Sequence, residues 1–451
     1  MRYALDQHLP FKRVFRVVLP SIAMMISISV YSLVDGAFIS NIAGKTPFAA
    51  VNLIWPLALL LGSLGFMMGS GGAALVAKRL GEGKPESANK AFSNCVAVSV
   101  LLGVVSSLVV FILLPQLAVW MGADEKMLPY CLEYGRILIL GVTFYNLQNL
   151  FQSFFSAAEK PQLGFFVTLL AGLTNIVFDA ILIAGFDLGV LGAAIGTVLG
   201  QAVGAIIPLI YFIRKNNSLL QLKWCAWNMK DVFKMMGNGI SEFANNISAS
   251  AVSIALNAAL MAHFGEDGVG AYGIICYVWM VFAAAFIGTN IALGPRVSYA
   301  LGAGNKEELT SLYGKSLLVL AIFGVAMWGL SEALTVPLAL AYQGGDEGLY
   351  ELTVHASRIY SFIYLTLGVN MFASSFYTSL NNGLVSMILS VVRLAGLELG
   401  LVLLLPNLFG GESLWYAVPL ANAIGLIINL IVMQALGKRY GYDQKGVSLL
   451  K

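Results

Sequence analysis

Charge is scarce in this sequence. Asp, Glu, Lys and Arg make up 11% of its 451 residues, against about 25% in a soluble domain, which excludes a chain whose main solvent is water. Cysteine is scarcer still: Cys95, Cys131, Cys225 and Cys276 stand singly, without the close spacing of a metal or redox motif, and read as small apolar filler. The histidines, His8, His263 and His355, form no metal cluster or catalytic constellation. A phosphate-binding loop is missing as well, because Gly314-Lys315-Ser316 has Leu309 where the upstream glycine belongs, so the chain is not expected to hydrolyse ATP. Neither an enzyme nor a nucleic-acid partner is expected. The first apolar run lacks a small-residue cleavage site, which argues against a removable signal peptide.

What the chain has is apolar length. Hydrophobic residues make up 59% of it, and runs of about twenty or more recur from end to end, each able to cross a hydrocarbon core of roughly 30 Å. Interruptions by charge, Gly and Pro place helices near 17–42, 48–78, 91–120, 130–158, 164–185, 190–214, 232–264, 268–299, 311–341, 349–380, 384–405 and 412–437. The expected fold is an all-α integral membrane protein of twelve transmembrane helices. Several runs exceed the necessary length, so tilt, kinks near Pro56 and elsewhere, or extension beyond the bilayer are expected.

Lys and Arg accumulate on the cytoplasmic side of membranes. In a twelve-span reading the loops of one side hold Lys12, Arg13, Lys78, Arg79, Lys84, Lys160, Lys215, Lys223, Lys230, Lys306, Lys438, Lys445, Lys451 and others, and those of the other side hold only Lys45 and Lys126. Both termini are therefore expected in the cytoplasm of a cell whose plasma membrane carries the protein as a multi-pass chain.

The longest polar interruption, 215–231, lies near the middle and reads as a linker between lobes at 1–214 and 232–437, with 438–451 as a tail. The flanking halves repeat each other. Leu80-Gly81-Glu82-Gly83-Lys84 matches Leu301-Gly302-Ala303-Gly304-Asn305, Arg136 matches Arg358, and Phe154-Phe155-Ser156 matches Phe376-Tyr377-Thr378. Six helices followed by six in the same orientation imply a pseudo-two-fold axis along the membrane normal and a central cleft.

Carboxylates inside spans are costly and call for an explanation. Asp35 on the first span and Asp179 on the fifth lie at similar depths below the outer surface, and Thr197 on the sixth reaches that depth too. Asn175 is one helical turn from Asp179 and shares its face. Such oxygen-rich surroundings suit a hard cation or a proton shared between acids. The fourth span adds Asn146, Gln148, Asn149 and Gln152, and Tyr134 is a weaker candidate. The competing reading is hydrogen-bond glue between helices. In the second half, Glu242 lies on the seventh span, either at a coupling position or facing water near the start of its helix; Arg393 and Glu398 are expected to compensate each other, and Arg136 and Arg358 to snorkel outward. Sixteen Met and 51 aromatic residues could offer polarizable cleft surface; Met280 and Tyr277 are the candidate substrate contacts.

The run of motifs resembles the multidrug and toxic compound extrusion (MATE) transporters, most of all small bacterial multidrug members. The resemblance rests on Val34-Asp35-Gly36-Ala37-Phe38-Ile39, the glycines Gly69, Gly71 and Gly72 before Leu80-Gly81-Glu82-Gly83, Asn175-Ile176-Val177-Phe178-Asp179, and Gly185-Phe186-Asp187-Leu188-Gly189-Val190-Leu191-Gly192. It implies two six-helix lobes forming a V-shaped cleft, a secondary antiporter that exports organic cations in exchange for H+ or Na+ by alternating access, no other cofactor, and a monomer contacting membrane lipids. It further implies that Asn149 and Gln152 contribute to a cation site in the first lobe. Should Na+ be the coupling ion, Asp35, Asn175, Asp179 and Thr197 are its expected ligands. Gln152 departs from the Asn of some sodium-binding relatives, which leaves H+ and Na+ both open. The alternative function is a lipid-linked saccharide flippase of related fold. A flippase would want a strongly basic cavity, whereas the basic residues here fall in loops.

Overall fold

The computed structural model describes residues 4–39, 45–342 and 347–443. The expected basic positions Lys445 and Lys451, and the end of the first span at 42, lie outside those residues. The helices are α1 (Phe11–Phe38), α2 (Lys45–Gly81), α3 (Pro85–Trp120), α4 (Leu128–Leu140), α5 (Val142–Ala157), α6 (Pro161–Asp179) and α7 (Gly189–Ile213) in the first half. In the second half they are α8 (Met229–Gly302), α9 (Lys306–Tyr342), α10 (Glu347–Ser361), α11 (Tyr364–Ser379), α12 (Gly383–Val391), α13 (Leu399–Phe409) and α14 (Leu414–Tyr440). Local chemistry marks several starts: prolines occupy the first turns of α3, α4 and α6, where the missing N–H costs nothing. The side chains of Asn228 and Asn382 accept backbone N–H bonds at the starts of α8 and α12.

Nine of these helical stretches among the described residues are long and apolar enough to cross a membrane, and α10 with α11, bent by 48°, makes a tenth. α8 holds two crossings, because Gly265 sits inside its 74 residues at φ 65° and ψ −150°, a backbone turn that favours glycine. α4 and α5 together supply the last, broken at Gly141. The chain therefore has twelve transmembrane helices in two six-helix lobes. Its spans are less regular than expected: 130–158 and 349–380 are each two helices, and the fifth and eleventh spans contain π-helical stretches at Ala180–Gly185 and Val392–Glu398. Pro56, the expected kink position, lies inside α2.

Both α1's start and α14's end lie on one side, called here the terminal face. Near this face the lobes exchange segments. Val14, Val17, Val18 and Ile22 of α1 belong to the apolar core of the second lobe, alongside Leu256, Phe286, Val297 and Leu320. Reciprocally, Val232 and Met235 at the start of α8 belong to the core of the first lobe with Phe92, Phe151, Phe154 and Phe212. The helices touch closely there: a Cβ on Gly239 would lie 1.9 Å from the Met67 carbonyl oxygen, and one on Gly302 would lie 2.0 Å from the Lys78 carbonyl oxygen. An ion pair adds to the closure, Arg79 Nη2 meeting Asp231 Oδ1 at 2.5 Å.

A strap formed by the first described residues crosses the same face. The Leu5 N–H donates to Glu159 Oε1 of the first lobe at 2.6 Å. A few residues on, the Leu9 N–H donates to Glu308 Oε1 at 3.2 Å, His8 meets the other Glu308 oxygen, and Lys315 Nζ donates to the Leu9 carbonyl at 2.7 Å. Leu5 and Leu9 are buried beneath it.

Candidate ion site

The oxygen-rich site forms inside the first lobe, where α1, α4, α5, α6 and α7 converge. Asp35 projects from the last turn of α1 and Asp179 is the last residue of α6 before its π-helical continuation. Their carboxyl groups lie within hydrogen-bonding reach of each other. Asp179 has no solvent-exposed surface and Asn175, buried on the same helical face, stands beside it. α7 is brought against this pair by glycine: a Cβ on Gly196 would lie 2.1 Å from Asp179 Oδ1, and one on Gly200 would lie 3.0 Å from Asn175 Cβ. Thr197 follows Gly196 on that helix.

Several buried oxygens of this region lack a partner. Asp35 Oδ1, both Asp179 carboxylate oxygens, Asn175 Oδ1, Thr197 Oγ1, Gln148 Oε1, Gln152 Oε1 and Gln201 Oε1 are buried with no donor in hydrogen-bond geometry. Satisfied buried polar groups are the rule, and carboxylate oxygens of Asp35 and Asp179 are among the buried atoms that lack a hydrogen-bond partner. Two facing carboxylates in a low-dielectric interior repel, and a proton or a cation between them relieves the repulsion. Among the described residues no group of three His, Cys, Asp or Glu side chains is placed to hold a metal ion. The donor set is instead carboxylate, amide and hydroxyl oxygen, the chemistry of an alkali cation or a proton.

The candidates do not all converge. Asp35, Asp179 and Asn175 are together, with Thr197 on the neighbouring helix. Tyr134, buried on α4, lies close enough to feel both acids. Asn149 turns elsewhere: its amide approaches the Gly62 carbonyl at 3.4 Å, beside Tyr145. Gln152 is buried one turn beyond Gln148. Tyr31, Tyr145 and Gln201 were not expected from sequence. Tyr31 lies near Gln148 and Asp35, and it would be met at 2.6 Å by a Cβ on Gly172. A tyrosine one helical turn before an intramembrane Asp was the available signal, since both then share a face.

The second lobe places its polar residues differently. Glu242 lies on α8, partly buried with Asn245 beside it, and belongs to the other lobe from the acid pair. Arg393 and Glu398 pair at 3.0 Å, and Asn422 donates to the same Glu398 oxygen at 2.9 Å. Asn370 and Asn429 extend this network. Of the candidate substrate contacts, Tyr277 is 47% exposed, and Met280 sits on the seam between lobes, its carbonyl accepting from Ser29 Oγ at 3.1 Å. Arg136 and Arg358 are exposed.

Twelve helices in two lobes define a polytopic membrane protein with a buried pair of acids in its first lobe. The MatE family profile matches residues 20–181 and 243–404, and the chain belongs to that family. The two matched segments are equal in length and one repeats the other, as the internal sequence repeat requires. Multidrug export protein MepA of Staphylococcus aureus is 21% identical over 443 residues, covering 98% of this chain and 97% of that protein. Among solved structures, a MATE protein in complex with MaL6 superposes with a TM-score of 0.91 at 21% identity, covering 96% of this chain and 98% of that one. An outward-facing multidrug resistance MATE family transporter of the MOP superfamily superposes with a TM-score of 0.90 at 21% identity, with 96% and 98% coverage. These likenesses show the fold.

Proposed function

We propose that the chain is a secondary antiporter that exports organic cations of varied structure in exchange for H+ or Na+. The observation that carries this reading is the buried, facing pair of carboxylates, Asp35 and Asp179, with amide and hydroxyl oxygens on the adjoining helices. Such a cluster binds a proton or cation better in one arrangement of α1, α6 and α7 than in another, and only that difference in affinity lets an ion gradient drive a conformational cycle. The name of the staphylococcal relative supports multidrug export. Lys and Arg concentration on the terminal face supports cytoplasmic termini in a plasma membrane. One chain holds both lobes and the ion site, which supports a working monomer.

In this cycle an organic cation enters from the cytoplasm. Rocking of the lobes exposes it to the exterior, where a coupling ion reaches Asp35 and Asp179 and favours release. Asn175 and Thr197 would complete the shell of a bound Na+, with Gln148, Gln152 and Asn149 behind them. Glu242 is offered as a second acidic contact from the other lobe, and Met280 and Tyr277 as cleft surface for the substrate. The test is transport of a fluorescent cation into liposomes holding the full chain, under a pH gradient, a Na+ gradient and neither. Flux driven by one gradient and lost in Asp179→Asn supports the reading, and flux indifferent to both gradients overturns it.

A further inference from the structure

The segment joining the lobes, residues 214–228, has no helix and runs along the start of α3. Its backbone is fixed there: the Gln221 N–H donates to Asn89 Oδ1 at 2.8 Å and the Lys223 N–H to Ser93 Oγ at 3.0 Å. Leu220 anchors it in the first-lobe core, while its tryptophans turn away from the protein. Trp224 is fully exposed, Trp227 is 57% exposed, and Met229 and Phe233 at the start of α8 are 52% and 65% exposed. Interleaved with them are exposed Lys223, Lys230 and Lys234, with Lys90 on the adjoining turn of α3 and Arg214 and Lys215 where the linker begins. Glu82 and Asp231 are already engaged by Lys84 and Arg79, so Glu86 adds one acidic charge against this group.

Depth decides what this surface meets. α3 has 36 residues, about 54 Å of helix against a hydrocarbon core of roughly 30 Å. Roughly 12 Å therefore projects at each end. The linker lies beside Asn89 and Ser93, and the large exposed apolar side chains of α3 begin at Leu101, two turns deeper. Trp224 and its neighbours consequently stand at the level of lipid headgroups, where tryptophan is favoured and basic side chains are drawn to anionic lipid.

We propose that the inter-lobe linker is a lipid-docking surface: Trp224 and Trp227 enter the headgroup layer of an anionic phospholipid membrane while Lys90, Lys223, Lys230 and Lys234 neutralise lipid phosphates. The linker would then hold the hinge between the lobes at the membrane surface. This rests on exposure, charge and depth, and is independent of the transport reading.

The experiment places a polarity-sensitive fluorophore on Ala226→Cys in the full chain carrying Cys225→Ser and Cys276→Ser. Detergent micelles, phosphatidylcholine liposomes, and phosphatidylcholine liposomes containing phosphatidylglycerol are compared. Expected are a blue shift and protection from aqueous iodide only with phosphatidylglycerol, together with quenching by headgroup spin-labelled lipid. Replacing Lys223, Lys230 and Lys234 with Gln should weaken protection about fivefold per lysine, and Trp224→Ala with Trp227→Ala should remove the spin-label quenching. These side chains make none of the bonds that fix the linker backbone, so the variants keep the fold. Equal iodide access with and without phosphatidylglycerol overturns the proposal. So does equal protection in micelles, which would mean that the linker folds against the protein, or protection that needs an added acidic soluble protein.

Discussion

Asp179 combines full burial, an opposing carboxyl and no donor in hydrogen-bond geometry. An amide in its place keeps the shape, removes the repulsion and supplies a donor, so Asp179→Asn should leave thermal stability in detergent unchanged or raised while lowering gradient-driven transport by about tenfold or more. A fall in melting temperature with transport intact would show the residue to be structural. Gly196→Ala probes the same site from α7. Its new methyl would sit 2.1 Å from Asp179 Oδ1, so the helix must back away, at a cost of about 1–3 kcal/mol. The expected result is weaker coupling, read as a higher ion concentration for half-maximal transport, with wild-type expression. The two acids and Asn175 were legible in sequence because charge inside an apolar run stands out. Tyr31 and Tyr145 were not, because a tyrosine in a membrane span looks like any other filler until its neighbours are known, and Asn149, which the family resemblance singled out, has its amide turned to the Gly62 carbonyl of α2.

At the scale of elements, sequence periodicity resolved apolar runs but not their internal breaks. Gly141 and the residues after Ser361 split spans that read as single helices, and the π-helical stretches after Asp179 and before Glu398 leave no periodic trace, since each depends on what packs beside it. The charge pattern was more informative about faces than about partners. Arg79 read as one loop cation among many, yet it ties the start of α8 to the first lobe through Asp231, which is 4% exposed. Removing Arg79 as Ala leaves that carboxylate buried and uncompensated, with an expected loss of roughly 3 kcal/mol of stability. Asp231→Asn added to it should restore most of the loss. Thermal unfolding of the two single variants and the double variant measures the coupling, and additive losses would mean the pair contributes nothing of its own.

For the whole molecule, the exchange of α1 and the start of α8 between the two cores makes closure of the terminal face a shared property of both lobes, and the strap adds a removable part to it. Its hydrogen bonds run from Leu5 to Glu159 on one lobe and from Leu9 to Glu308 and Lys315 on the other. Opening that face must break one set. Hydrogen bonds to charged groups are worth about 1.5–3 kcal/mol each, so losing one should shift the closed–open balance about tenfold. Ser70 lies on α2 with its hydroxyl buried and unpartnered, one residue from Gly71, whose added Cβ would lie 2.1 Å from the Met235 carbonyl oxygen across the seam. A cysteine at Ser70 therefore reports on opening through its labelling by a water-soluble maleimide. Glu308→Ala, and separately deletion of residues 1–9, should speed that labelling about tenfold when reagent is added from the terminal side, with little change from the other. An unchanged rate in both would mean that the lobe contacts at Gly239 and Gly302 hold the face shut by themselves and that the strap merely lies across it.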